Sequence, residues 1–598
     1  MIEYSGEAPR IRRVRKQFGT RLLFIAAGAG AVMLAGCTAI PTGGNVHAGA
    51  PKGNSNQGGG QAHAPALGPL PGASPDEIVN GFRLASADAG QLSVAREFLA
   101  DPNWVPQQGV HVIDDSNTSP SYVASDNDAK LHYVDAWEGT IGVDGTFEPE
   151  NPGTKADYTY EVVKNAQTKG EWRIVNPPQY MTATVSGVND FYKSAYLYYL
   201  SPRNQLLVPV RVFLPQTGTD PATELATQLL QPPPRWLAAA GVTSAIPANA
   251  TLVGNVAQVN DVVIVNLSSE VASLSAAERD ALSAQLVYTL QGYGGGGFKI
   301  EVAGQPLTNS KGVTVQTLKT WSAYDPDALK VDFFYTGADQ RTRDSSGVTV
   351  PGDTGSGAVK LAVPVVAPRL ANTTGGDLIA GVETNGSTQA LYVGPMSQPK
   401  RVDFGISFTT PSWDAFGDVW TVRQETATSA QEVRVSAVTP AGTTKFETVA
   451  NHELGPSNLI ESLKISRDGT RVAVIARSTA AGAQLLVGHV VKTASGESIE
   501  GFYPVAPGLV PVGDVVWASA TTLDVVATAA GASSPTVWSV DVDGWQQPSH
   551  VTAPLDVVSI AAAPNEPLVV GTKSHEIEVS RDDFWQVVGA GANPSYPG

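Results

Sequence analysis

From about residue 325 to residue 598 the chain has no helical periodicity, and short strand-like runs separated by Gly, Asp and Ser turns replace it. Five phrases read as strand, turn and strand: LIAGVETNGSTQALYVGPM, PSWDAFGDVWTVRQE, LKISRDGTRVAVIARS, DVVWASATTLDVVATAA and VSIAAAPNEPLVVGTKS. They start near residues 378, 411, 463, 514 and 557, so successive starts lie 33 to 52 residues apart. A strand-rich unit recurring at roughly 40–50 residues is the period of a β-propeller blade. With 325–360 adding a further blade, six blades are expected and seven are compatible. A long β-sandwich is the competing arrangement.

The segment before this array mixes helix and strand. KSAYLYYLSPRNQLLVPVRVFL predicts two strands around a turn, and ATELATQLLQPPP a short helix stopped by Pro232, Pro233 and Pro234. Val262, Val263, Ile264 and Val265 form a strand core, and Ser275 with Glu278 forms a capping box ahead of Leu282, Leu286 and Leu290 at helical spacing. KIEVAGQPL closes with a strand. Residues 196–308 in this order resemble the GerMN domain, an extracytoplasmic binding or assembly module. The matching phrases are L-Y-Y-L…L-V-P-V, ELATQLL, AIP…VIVNLSSEV and QLVYTL leading to IEVAGQPL.

Further upstream, Ser74 is placed to cap a helix with Pro75 at its first position and Glu77 completing the box, while Ile78, Phe82 and Ala85 share one face. SVAREFLA predicts a second helix, and AKLHYVDAWEGTIG, ADYTYEVVKNA and GEWRIVNPP predict strands. Two helices followed by an antiparallel sheet resemble the α+β domains related to nuclear transport factor 2. The expected domains are 72–190 (α+β), 196–308 (α+β, GerMN-like) and 325–598 (all-β propeller).

The only cysteine in the 598 residues is Cys37, so no internal disulfide can form. It follows Arg10, Arg12, Arg13, Arg15, Lys16 and Arg21, the apolar run LLFIAAGAGAVML, and Leu34-Ala35-Gly36. A basic cluster followed by an apolar run too short to span a bilayer is a signal-peptide layout. Leu34-Ala35-Gly36-Cys37 resembles the lipobox of bacterial lipoproteins, in which the thiolate takes up a diacylglyceryl group. Residues 1–36 are expected to be the signal peptide and Cys37 the lipid-bearing first residue of the mature chain. Two or three acyl chains give stable membrane anchoring. Residues 37–71, rich in Gly, Pro, Asn and Gln, read as a disordered tether with a root-mean-square span of about 30–35 Å.

Charge agrees with export. Residues 1–36 hold 6 of the 39 Lys+Arg and 2 of the 56 Asp+Glu, so residues 37–598 carry 33 against 54, a net charge of −21. Such a body is repelled by nucleic acid and by anionic headgroups, so neither is expected as a partner of its bulk surface.

The lipobox-like segment, the acidic body, the GerMN-like domain and a terminal propeller containing PSWD…GDVW and ISRDGTRVAV together resemble the LpqB lipoprotein family of actinobacteria. That resemblance implies a non-enzymatic protein on the outer face of the cell membrane, held by the lipid on Cys37. It implies work with the MtrAB two-component system, through binding the extracellular region of the sensor kinase MtrB and influencing phosphorylation of MtrA, and so cell division and envelope homeostasis. Only Cys37, with Leu34, Ala35 and Gly36, carries over as a functional position. A long basic N-terminal arm and the run GYGGGG depart from the family pattern.

The residues offer little else in the way of chemistry. Gly292, Gly294 and Gly297 match G-x-G-x-x-G, but they follow a predicted helix and precede a strand, the reverse of a dinucleotide site, so a turn is expected. His452-Glu453 and His575-Glu576 lack the second histidine of a zinc helix, and no metal or cofactor is expected. The alternative function is an exported propeller glycosidase acting on cell-wall glycan, with paired carboxylates drawn from Asp414, Asp418, Asp468, Asp514 and Asp524. Turn chemistry explains Asp468 in SRDGT and also the pair Asp541 and Asp543 beside Gly544, which form only part of a calcium loop. Trp413, Trp420, Trp517, Trp538 and Trp585 are expected to pack between blades, and any exposed group of them would mark a partner surface. A structural envelope scaffold is the third reading.

Overall fold

The computed structural model describes residues 67–598 except 117–118, 165–168, 204–205, 217, 329–330, 351–360, 362–364, 368–377, 440–441, 444, 456–457, 495, 546–547 and 583. The signal peptide, Leu34, Ala35, Gly36, Cys37 and nearly all of the tether lie outside the described residues.

The first domain starts with helix Pro75–Ser86. Ser74 Oγ accepts from Glu77 N at 3.3 Å, and Glu77 Oε2 accepts from Ser74 N at 2.7 Å, which closes the predicted capping box. Ile78, Phe82 and Ala85 are buried, as their spacing requires. They pack on a sheet ordered Trp172–Ile174, Lys155–Lys164, Asp128–Ile141, Val110–Ile113 and Met181–Thr184. Along Asp128–Ile141, Ala129, Leu131 and Tyr133 turn inward, the period-2 pattern of a sheet with one covered face.

In the second domain, Tyr192–Leu200 and Leu207–Pro215 form an antiparallel hairpin. Val262–Leu267 runs parallel to Gly297–Val302, so the chain must cross over between them, and helix Ala276–Thr289 makes the crossing. Ser275 and Glu278 cap that helix reciprocally, and Leu282, Leu286 and Leu290 are buried. The glycine run is a turn, as expected, and its glycines are needed. Gly296 N donates to Asp261 O at 2.8 Å, and Gly297 has φ +111°, where an added Cβ would lie 2.8 Å from Gln316 O.

The β-rich part contains five four-stranded sheets. They begin at the inner strands Val365–Val366, Ser412–Trp413, Asn458–Ile465, Leu509–Trp517 and Val557–Ala561. The outer strands of the second and third sheets also pair, Ala450 with Ser498 and Asn451 with Ile499, joining the two. The segment counted above toward a separate blade goes elsewhere: hairpin Phe334–Gly337 and Thr342–Asp344 extends the fifth sheet, with Thr336 opposite Ala592. The described residues therefore form five blades, with the hairpin covering the free edge that Phe584–Ser595 would otherwise present. Phe334 also packs on Leu361, Val366 and Ile379, and Gly598 N donates to Val366 O at 3.2 Å, so the fifth blade meets the first and the ring closes.

Candidate functional site

The propeller face formed by the turns from inner to second and from third to outer strands is where the other domains attach. In the third blade, Asp468 Oδ1 accepts from Ser466 Oγ (2.6 Å), Thr470 N (2.9 Å) and Thr470 Oγ1 (2.6 Å), which fixes the turn around Gly469 at φ +70°. Asp468 thus holds its own turn through one carboxylate oxygen. The turn aims Arg471 out of the blade. Its Nη2 donates to Pro209 O of the second domain at 2.7 Å, and its guanidinium lies 5.4 Å from the Trp236 ring.

The turn of the second blade works the same way. Asp414 Oδ1 accepts from Phe416 N and Asp418 N, both at 2.9 Å, while Asp418 Oδ2 receives Arg203 Nη2 at 2.6 Å. Burial, with Asp418 close by, pushes the Asp414 carboxyl well above the ordinary aspartate range. In the fourth blade, Asp541 Oδ2 and Asp543 Oδ2 accept from Arg211 Nη2 (2.5 Å) and Nε (2.6 Å). The Arg211 side chain is only 7% exposed. Beside this clamp Trp545 packs against Phe147 of the first domain at 5.1 Å and Phe213 of the second at 4.5 Å. At the start of the third domain, Asp327 Oδ1 accepts from Ala520 N at 2.9 Å, and Arg467 donates to Pro326 O, which ties the incoming chain to the third and fourth blades. Burial raises the Asp327 carboxyl to about 6.

Where the three domains meet there is a partly open pocket of about 360 Å³, with Phe147, Tyr196, Arg211, Trp236, Arg471 and His489 among its walls. His489 stacks on Trp236 at 4.2 Å, and its Nδ1 has no hydrogen-bond partner. Burial, with the Arg471 charge nearby, pushes the imidazole down to about 3, so it is neutral at physiological pH.

The carboxylates proposed for hydrolysis do not line a common cavity. Asp414 and Asp418 sit in one turn under Arg203 and Asp468 in another, while Asp524 on strand Thr522–Ala529 is raised to about 6 by burial. Asp514 alone of the five lines the cavity on the propeller axis, and Glu461, the other carboxylate lining it, is held by Arg477 at 2.5 and 3.0 Å. The tryptophans pack rather than cluster at the surface. Trp413 and Trp420 are buried, Trp517 Nε1 donates to Lys464 O at 3.0 Å, Trp585 Nε1 donates to Thr552 O at 3.2 Å, and Trp538 meets His550 edge-on. Of the two His-Glu pairs, Glu453 binds backbone N–H groups of Gly501 and Phe502, and His575 occupies a turn at φ +60°.

The residues missed in the sequence are Arg203, Arg211 and Arg471. Arg211 had a signal: it interrupts the apolar strand LVPVRVFL, and a charge in a buried strand needs a partner.

Residues 340–597 match the model described as the Lipoprotein LpqB beta-propeller domain, 68–190 the Lipoprotein LpqB N-terminal domain, and 196–308 the model described as Sporulation and spore germination. The chain belongs to the LpqB family. Similar relatives include Lipoprotein LpqB of Thermobifida fusca, 28% identical over 95% of this chain and 97% of that one. Lipoprotein LpqB of Streptomyces avermitilis is 28% identical over 96% and 97%. Among solved structures, TolB from Acinetobacter baumannii covers 45% of this chain and 66% of its own length at 11% identity, with a TM-score of 0.33. No helix among the described residues is long and apolar enough to cross a membrane.

Proposed function

We propose that this LpqB-family chain is a lipid-anchored accessory protein on the outer face of the cell membrane that binds the extracellular region of an MtrB-like sensor kinase and modulates its signalling. Cys37 carries the lipid, and Leu34, Ala35 and Gly36 direct its processing. Through that kinase the protein influences cell division and envelope homeostasis.

The observation that supports a binding role over hydrolysis is the use made of the acidic turn residues. Asp418, Asp541 and Asp543 join the propeller to the second domain instead of meeting at one mouth. A chain that uses its turn carboxylates to hold domains in register is built to present a surface. Glycoside hydrolysis needs two carboxyl groups about 5–10 Å apart across a substrate.

The test is a membrane pull-down from cells carrying wild type or Cys37→Ala, with mass spectrometry of the N-terminal peptide and of co-purified proteins. Wild type should carry the lipid and recover a sensor kinase, and the variant should leave the membrane fraction and lose the kinase. Recovery of the lipid without any kinase would refute the signalling role while keeping the anchor.

A further inference from the structure

The pocket at the three-domain junction has the size of a small-molecule site, about 360 Å³ against the usual range of roughly 300–1,000 Å³, and lies where such sites concentrate, between domains. Its apolar wall is aromatic. Phe147 comes from the first domain, Trp236 from the second, and Phe502 and Tyr503 from the third blade. Two guanidinium groups reach the same space, Arg211 from a strand of the second domain and Arg471 from the third blade.

The two arginines differ in what neutralises them. Arg211 meets two carboxylates, Asp541 through Nη2 and Asp543 through Nε. Arg471 forms no ion pair with the described residues; it donates only to backbone carbonyls, Pro209 O at 2.7 Å and Ala520 O at 3.4 Å. Neither bond uses Nε, which has no partner among the described residues and yet is not sealed off from solvent. The residue is only 4% exposed and lines the pocket, so the accessible edge of its guanidinium faces that space. Arg211 Nη1, in a side chain 7% exposed, is placed in the same way. The carboxylates of the wall do not answer these donors. Asp543 accepts from Trp545 N through Oδ1 and from Arg211 Nε through Oδ2, and Glu148 is exposed to water. An enclosed guanidinium with free N–H groups and no counter-charge, beside an aromatic wall, is complementary to an anionic oxygen carried on an apolar body.

We propose that this pocket binds a small amphipathic oxyanion, a ring-bearing carboxylate or phosphate ester, with its charged oxygens on Arg471, Arg211 Nη1 as a second donor, and its ring against the aromatic wall. Such a ligand touches the second domain and the propeller at once, and the site does not depend on which protein the chain docks with.

The experiment is calorimetric titration of the full-length protein in detergent at low ionic strength. The probes are 1-naphthylacetate, 1-naphthyl phosphate, the uncharged 1-naphthylacetamide, and ring-free acetate and phosphate. At least one naphthyl anion should bind tenfold or more tighter than the amide, and tenfold or more tighter than the ring-free anion of its own class. Preference for the acetate identifies a carboxylate site, and preference for the phosphate a phosphate-ester site. Arg471→Gln and Arg471→Met proteins whose circular dichroism matches wild type should lose the preference for anion over amide. Glu148→Gln removes an exposed carboxylate from the pocket wall. It should tighten the anion about two- to threefold and leave the amide unchanged, even if the Arg471 variants do not fold. The proposal is overturned if neither naphthyl anion exceeds the amide, if the ring-free anions bind as tightly, if folded Arg471 variants keep the preference, or if Glu148→Gln leaves the anion's affinity unchanged.

Discussion

Replacing Arg211 with Ala tests whether the propeller and the second domain are held together by charge. The arginine makes two charge-assisted hydrogen bonds, 2.5 Å to Asp541 and 2.6 Å to Asp543, with side chains 7%, 17% and 20% exposed. Each such bond contributes about 1.5–3 kcal/mol net. Removing the arginine also leaves two neighbouring carboxylates largely out of water, and breaking a buried pair in this way costs about 3–5 kcal/mol. We expect the loss to fall in that range. In a chain of three domains it is best read as a coupling. The assay is urea unfolding followed by tryptophan fluorescence, run as a cycle of Arg211→Ala, Asp541→Asn/Asp543→Asn and the combination. The arginine variant should unfold at lower urea, and adding the two asparagines should recover at least half of the loss, because no buried charge is then left alone. A loss under about 1 kcal/mol, or no recovery in the combined variant, would show that the clamp is a surface contact.

Three other perturbations follow from the same geometry. Trp545→Ala removes the ring between Phe147 and Phe213; it should cost about 3–5 kcal/mol and speed limited proteolysis between the first domain and the rest. Gly297→Ala should cost about 1–3 kcal/mol in denaturant unfolding, since its φ of +111° and the approach of Gln316 O leave no room for a Cβ. Asp524→Asn should change the pH dependence of stability. The carboxyl is raised to about 6 in the folded chain, so between pH 4 and 6 the folded state holds a proton that the unfolded state has lost, and stability falls as pH rises through that window. The variant should be more stable at pH 7 by at most about 3 kcal/mol, with the gain gone below pH 4; equal pH profiles would contradict it.

The parts of the fold legible in the sequence are those written locally. The boxes Ser74/Glu77 and Ser275/Glu278 act across three residues, and Leu282, Leu286 and Leu290 repeat at helical spacing, so both helices could be read directly. Blade starts were read to within one residue at Ser412–Trp413 and Val557–Ala561, and about five residues late at Asn458–Ile465 and Leu509–Trp517, where the turn after the strand was the stronger signal. The first blade was read from residue 378, which begins its second strand Leu378–Asn385, and its inner strand Val365–Val366 was missed. The hairpin at 334–344 could not be assigned to the fifth blade because its partner strand, Phe584–Ser595, lies about 250 residues away. The domain joints were hidden for the same reason. Arg211 and Asp541 are 330 residues apart, and no periodicity records such a pairing.

Asp543 shows why reading it as a turn residue and reading it as a functional residue were not alternatives. Its Oδ1 accepts from Trp545 N at 3.1 Å, the local bond that favours aspartate in a turn, while its Oδ2 accepts from Arg211 Nε at 2.6 Å. One carboxylate shapes the turn with one oxygen and latches the domains with the other. The two roles can be separated. Asp543→Asn can keep the turn bond through its amide oxygen, but its NH₂ then faces another donor, so only the latch is lost. Asp543→Ala loses both. If the two roles are independent, the alanine variant should be less stable than the asparagine variant by about 1 kcal/mol, the net worth of one neutral hydrogen bond. The same difference should persist in an Arg211→Ala background, where the latch is already gone. If it disappears there, the turn bond exists only because the arginine holds the carboxylate in place, and the turn would follow from the docking of the domains.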